Sequence, residues 1–163
     1  MSESYICRLE INMDPVAKQL DGKTSNGNNP EDKIEFRRQA SQQLTALGVP
    51  EGLFPLTQPV EVSYQFVFTD KSLPAQTKRE TLGAPYSNTP DLDNLIKFAQ
   101  DELIGILWAD DRQVTQYTEA RKLRGEAGKI IVILHRCLFD SAAFCAEVKR
   151  LRDQYAYETS HGV

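Results

Sequence analysis

The chain has 163 residues, 40% of them apolar and 26% charged, with a formal net charge of −4. That length suits one domain with a real core, no apolar run approaches a membrane span, and the N-terminus lacks the basic-then-apolar form of a signal, so a soluble, intracellular protein is expected. The acidic balance counts against a generic nucleic-acid binder, and Cys7, Cys137 and Cys145 show neither metal-ligand spacing nor the even number of a disulfide framework.

In chain order, Tyr5 to Asn12 alternates, with Tyr5, Cys7, Leu9 and Ile11 on one face, and predicts a half-buried strand. Asp21 to Asn29 is a polar loop. Asn29 caps a helix in which Pro30 takes the first position, and Glu31 and Asp32 suit the positive end of its dipole. Ile34, Ala40, Leu44 and Leu47 form its expected packing stripe and Gly48 its end, while Arg37 and Arg38 are assigned to a solvated face. Val60 to Thr69 predicts a strand with Val60, Val62, Tyr64, Phe66 and Phe68 on one face. Asp70 to Thr89 is a long connection carrying Lys71, Lys78 and Arg79, of a length that is usually functional or disordered.

Pro90 to Asp93 opens the next helix, whose buried face is Leu92, Leu95, Ile96, Ala99, Leu103 and Ile106 and whose end is expected near Gly105. Asp93, Lys97 and Asp101 fall together on its accessible side. Val114 to Leu123 predicts a strand, and the turn Arg124 to Gly128 joins it as a hairpin to Lys129–Arg136, an apolar run typical of a strand buried on both faces. Asp140 caps a last helix with the stripe Phe144, Val148, Leu151 and Tyr155, and the chain frays from Glu158. No internal repeat is present. The order implies an α+β fold, a four-stranded mixed sheet with helices packed on it, as one domain over residues 1–157 with a disordered tail at 158–163.

Asp91 and Asp93 stand one residue apart at the helix mouth, where both carboxylates can turn toward one point. Mg²⁺ is usually held by one or two carboxylates while it keeps waters and binds substrate phosphate. A helix N-terminus favours anions, so a scissile phosphate can approach once a metal neutralises the pair. Lys97, one turn on, can hold a phosphate oxygen or the charge developing on it. Asp101 lies roughly 12 Å along the helix from Asp93, too far for a shared ligand set. Singly, each feature has a plainer meaning: Asp-x-Asp as a capping pair, Asp93–Lys97–Asp101 as surface ion pairs, Asp110-Asp111 as a turn.

Together they form one ordered block: Asp91-Leu92-Asp93-Asn94-Leu95-Ile96-Lys97, then Asp101-Glu102-Leu103, then Trp108-Ala109-Asp110-Asp111-Arg112-Gln113-Val114, then Lys122. This block resembles the signature of the RusA family of Holliday-junction resolvases. The resemblance implies a RusA-like fold, Asp91, Asp93 and Asp111 as catalytic, magnesium-binding carboxylates, Lys97 as a catalytic residue that contacts DNA, and a homodimer whose contact helps build the metal sites.

The resulting expectation is a magnesium-dependent endonuclease that cuts phosphodiesters in branched DNA, with no organic cofactor and no membrane association. Lys71, Lys78, Arg79, Lys97 and Lys122 would form a DNA-binding basic patch on an otherwise acidic surface. A cytoplasmic location and a phage or prophage source are part of the same expectation. The alternative is a non-catalytic relative that binds nucleic acid or protein, which the acidic charge favours. A metal–nucleotide site of a transferase is a weaker third reading, since nothing else suggests a sugar-nucleotide pocket. His135 sits in an apolar strand and His161 in the tail, which argues against histidine catalysis.

Overall fold

The computed structural model describes residues 5–17, 30–48, 52–138 and, toward the C-terminus, 150, 153, 154, 157 and 160–162. Strand β2 (Val60–Phe68) is central because both of its faces are shielded: Val60, Val62, Tyr64 and Phe66 are buried on one, Glu61 and Ser63 on the other. Around it the sheet runs in the order β1-β4-β2-β3, with β1 spanning Cys7–Ile11, β3 Val114–Arg124 and β4 Lys129–Cys137. β4 is antiparallel to β1 and β2, whereas β3 is parallel to β2. This is a four-stranded mixed sheet with helices on it, an α+β fold.

The hairpin expected between β3 and β4 does not form, because β2 lies between them. The reason is burial. β4 carries the apolar run Ile130–Leu134 and takes an interior place, while β3 is largely exposed and suits an edge. The connecting turn crosses the end of β2, where Gly125 N donates to the Phe68 carbonyl (2.9 Å). A Cβ on Gly125 would overlap Val67 Cγ1, so the crossing needs glycine there.

Helices α1 (Pro30–Ala46) and α3 (Leu92–Glu102) cover one face of the sheet. The stripe read for α1 is corrected. Ile34 and Leu47 are exposed, and Phe36 and Ala40 are the buried residues. Phe36 meets Phe98 of α3 edge-on (5.6 Å, 77°), and that large ring sets the rotation of the helix. The same rotation turns Gln39 and Gln43 toward the free edge of β1. Their amides bond the backbone of Asn12 and Glu10, with Glu10 N to Gln43 Oε1 at 2.8 Å and Asn12 N to Gln39 Oε1 at 2.7 Å. An edge strand exposes just these groups to unwanted pairing, and two side chains of α1 occupy them.

The long connection after β2 has structure of its own. It forms a short helix, α2 (Ala75–Glu80), and residues 83–86 bond the outer edge of β3. On the other sheet face, Ser63 Oγ lies 2.7 Å from His135 Nε2, and Glu61 bonds Thr118 and Arg136, which gives His135 a structural role. The polar loop 21–29 with its cap Asn29, and the last helix with its stripe Phe144, Val148, Leu151 and Tyr155, lie outside the described residues, as does Cys145.

Candidate active site

α3 carries the acidic pair. Its apolar side, Leu95, Phe98 and Ala99, is buried against the sheet, which leaves Asp93 and Lys97 exposed. Asp91 is the N-cap residue in extended conformation (φ −67°, ψ 147°), yet its side chain makes no capping bond. An N-cap aspartate normally spends its carboxylate on a first-turn amide. Here it is not spent on the cap, two residues ahead of Asp93 and at the positive end of the helix. Among the described residues Asp93 and Lys97 are not ion-paired, so their one-turn spacing is not used as a salt bridge.

Lys122 holds the chain just ahead of this pair. From β3, its Nζ donates to the carbonyls of Asn88 (2.6 Å) and Pro90 (2.7 Å). Two of its three ammonium donors therefore go to backbone, and Lys122 positions the entrance of α3. The ring of Tyr86, stacked on Phe68 at 4.4 Å, lies beneath both Lys122 and Arg124.

Asp111 sits elsewhere. α3 stops at Glu102, earlier than Gly105, and the chain returns through a left-handed Gly105 (φ 81°). Trp108 is fully buried and donates Nε1 to the Gln100 carbonyl (3.1 Å). The Gln100 side chain then reaches onward: Oε1 accepts from Tyr117 (2.8 Å) and Tyr64 (3.3 Å), and Nε2 donates to the Asp111 carbonyl (3.3 Å). Both phenols are protonated at neutral pH, burial only raises their pKa further, and the Asp111 carbonyl can only accept. That fixes which end of the amide faces Asp111.

Gln100 lies seven residues after Asp93, roughly 10 Å along the helix. Asp91 and Asp93 thus stand at one end of α3, with the Asp111 backbone near the other. Among the described residues, no group of three or more His, Cys, Asp or Glu is placed to hold a metal ion. The donor set of Asp91 and Asp93 alone still fits Mg²⁺, which needs one or two carboxylates and keeps its waters.

Asp110 has a different duty. It caps the single 3₁₀ turn Asp111–Gln113, accepts from Arg112 N (2.9 Å) and pairs with the Arg112 guanidinium (2.9 Å). These bonds hold its carboxyl down at about 2. Gln113 completes the cap by accepting from Asp110 N (2.8 Å), and its Nε2 donates to the carbonyls of Leu56 (2.7 Å) and Gln58 (3.1 Å). So the Trp–Asp–Asp–Gln part of the block serves largely to hold Asp111.

Of the basic residues, Lys71 is exposed just before α2, and Lys78 and Arg79 line a pocket beside it. β2 and β3 are parallel and pair Phe66 with Lys122, which puts these cations at the end of the sheet where Lys122 meets Pro90. Gln100 and Tyr117 were not among the residues singled out by pattern. A glutamine bordering a helix stripe and a tyrosine in an edge strand carry no local signal of a cross-element bond. Gln113 had one, its place in the block.

The family profile described as endodeoxyribonuclease RusA matches residues 12–135 of the chain. The chain belongs to the RusA endodeoxyribonuclease family. The match takes in α1, α3, the whole acidic block and most of β4. No curated protein matches the chain.

Proposed function

We propose that this RusA family member is a magnesium-dependent, structure-specific endonuclease that cuts branched DNA such as Holliday junctions. The observation that carries this reading is the pair of unspent carboxylates, Asp91 and Asp93, at the N-terminus of α3. When bound there, Mg²⁺ would supply a polarised phosphate and an activated water. The chain's own residues do the rest. Asp91 and Asp93 hold the cation, the helix N-terminus receives the phosphate, and Lys97 steadies charge on its oxygens. Lys71, Lys78 and Arg79 contact the DNA backbone, and Lys122 adds its charge while holding the Asn88–Pro90 chain.

Asp111 is the third ligand in this proposal, and its separation from Asp93 along α3 favours a homodimer in which it reaches the site of the second subunit. A junction cut symmetrically also calls for two sites. Among the described residues no helix is long and apolar enough to cross a membrane, and a cytoplasmic enzyme of phage or prophage source remains the reading.

The test is incubation of the protein with labelled four-way junction, flap and linear duplex, in Mg²⁺ and in EDTA. Cleavage confined to branched substrates with Mg²⁺ is expected. Junction binding without cleavage in any divalent metal would favour the non-catalytic relative, the reading that the net charge of −4 supports.

A further inference from the structure

A second feature lies at the same end of the sheet as Asp91. A pocket of about 250 Å³ opens between α2 and the strand ends, walled by Ala75 and Leu82 on one side and by Thr69 and Gly125 on the other. It is built by backbone bonds. Gly83 N donates to Arg124 O (2.8 Å), Arg124 N to Ala84 O (2.8 Å), and Gly125 N to Phe68 O (2.9 Å). Both walls are therefore tied to the end of the sheet.

Its chemistry is mixed in a telling way. The walls are mostly apolar, while Lys78 and Arg79 bring two adjacent cations to a chain of net charge −4. Glu126 also lines the pocket and would repel a phosphate pushed inside, so an anion belongs on the Lys78–Arg79 side. The volume lies just under the roughly 300–1,000 Å³ of pockets for drug-sized ligands, which suits one flat ring system.

Its position links it to the acidic pair. Lys122, which holds Pro90, lies on β3 three residues before Gly125, the first residue past that strand, roughly 10 Å of extended chain. That is the rise of about three nucleotides of a stacked strand.

We propose that this pocket receives the base of an unpaired DNA nucleotide, its phosphate on Lys78 and Arg79, a few nucleotides from the phosphate held at Asp91 and Asp93. Bases inside a duplex must be unstacked to enter, whereas unpaired ones do so at low cost. The pocket thus gives the site a physical reason to select branch points. This inference rests on the nuclease reading for its orientation, and its test does not depend on cleavage.

Binding is measured in EDTA by fluorescence anisotropy, with a short single-stranded oligonucleotide and the same chain made of abasic sites. The parent should prefer the base-bearing strand by about tenfold, which burial of roughly 50–60 Å² of apolar ring surface supplies. Ala75→Trp, at an exposed position, should fill the pocket and erase that preference while abasic binding stays within about twofold. Leu82→Ala should narrow the preference by removing a wall, and it carries the test should the tryptophan variant fail to fold. Equal affinity of the parent for both strands would overturn the proposal, as would variants that weaken both strands alike. Assaying junction cleavage on the same preparations separates the two readings. Base preference without cleavage keeps the pocket and sinks the nuclease, and cleavage without base preference does the reverse.

Discussion

Asparagine at position 93 would keep the size of the aspartate and its place in the first turn of α3, so the fold should survive Asp93→Asn. An amide oxygen is a far weaker Mg²⁺ ligand than a carboxylate. We expect cleavage to fall by on the order of a hundredfold or more, roughly 3 kcal/mol of barrier, while junction affinity holds or rises as repulsion toward phosphate is lost. Activity within tenfold of the parent would remove Asp93 from the site. Asp110 should behave differently, since its carboxylate is already committed to Arg112 and the 3₁₀ cap. Its pKa, about 2 in the fold, lies below its unfolded value. A depressed carboxyl stabilises the fold above the unfolded value and loses that effect as pH falls through the folded one. The Tm gap between parent and Asp110→Asn should therefore be full at neutral pH and close between about pH 4 and pH 2. Arg112 and Asp110 are both well exposed, so the gap should be small and shrink in high salt.

Among the described elements, α3 is held from outside at both ends. At its start, Lys122 fixes the Asn88–Pro90 carbonyls. At its end, Arg37 of α1 donates Nη1 to the carbonyls of Glu102 (2.7 Å) and Ile104 (3.0 Å). A cation at the negative end of the dipole satisfies acceptors that the helix itself leaves open. The assignment of Arg37 to a solvated face is thereby corrected: α1 turns it inward, beside Phe36. Arg38 does lie on that face, paired with Glu35 (2.6 Å). Hydrogen bonds from a charged donor are worth roughly 1.5–3 kcal/mol. Arg37→Ala should thus lower Tm by several degrees, at about 2–4 °C per kcal/mol for a chain of this size. Hydrogen exchange should rise first in residues 102–108. Unchanged exchange there would mean that water replaces the guanidinium without loss.

For the whole molecule, the separation of Asp111 from Asp93 makes a mixing experiment decisive. If Asp111 serves the opposite subunit, a heterodimer of Asp93→Asn and Asp111→Asn subunits contains one intact site. Two inactive preparations should then recover junction nicking when co-refolded. No recovery from a confirmed heterodimer would place both residues in one subunit. The charge distribution makes a second prediction at this scale. Binding should depend on salt despite the net charge of −4, because counterions leave the local phosphates. Replacing Lys97 by Gln should reduce the slope of log affinity against log salt by about one. An unchanged slope would exclude a phosphate contact.

The sequence by itself determined the four strands, α1, α3 and the order of the acidic block, but not α2. The alternation of Val60–Phe68, the apolar run of β4 and the stripe of α3 are local properties, because each period follows from the geometry of a single strand or helix. Asp91 could be placed at a helix mouth for the same reason. Only the tertiary structure decided what depends on distant partners. β2 separates β3 from β4 because burial is shared across the whole sheet. α1 rotates because Phe36 finds Phe98, 62 positions away. Gln100, Tyr117 and Arg37 gained their roles from contacts between elements, which no pattern within one element encodes. The same holds for Asp111. Its place in the block was legible, but the position of its backbone beside Gln100 was set by the early stop of α3 and the fold of the Gly105–Trp108 return.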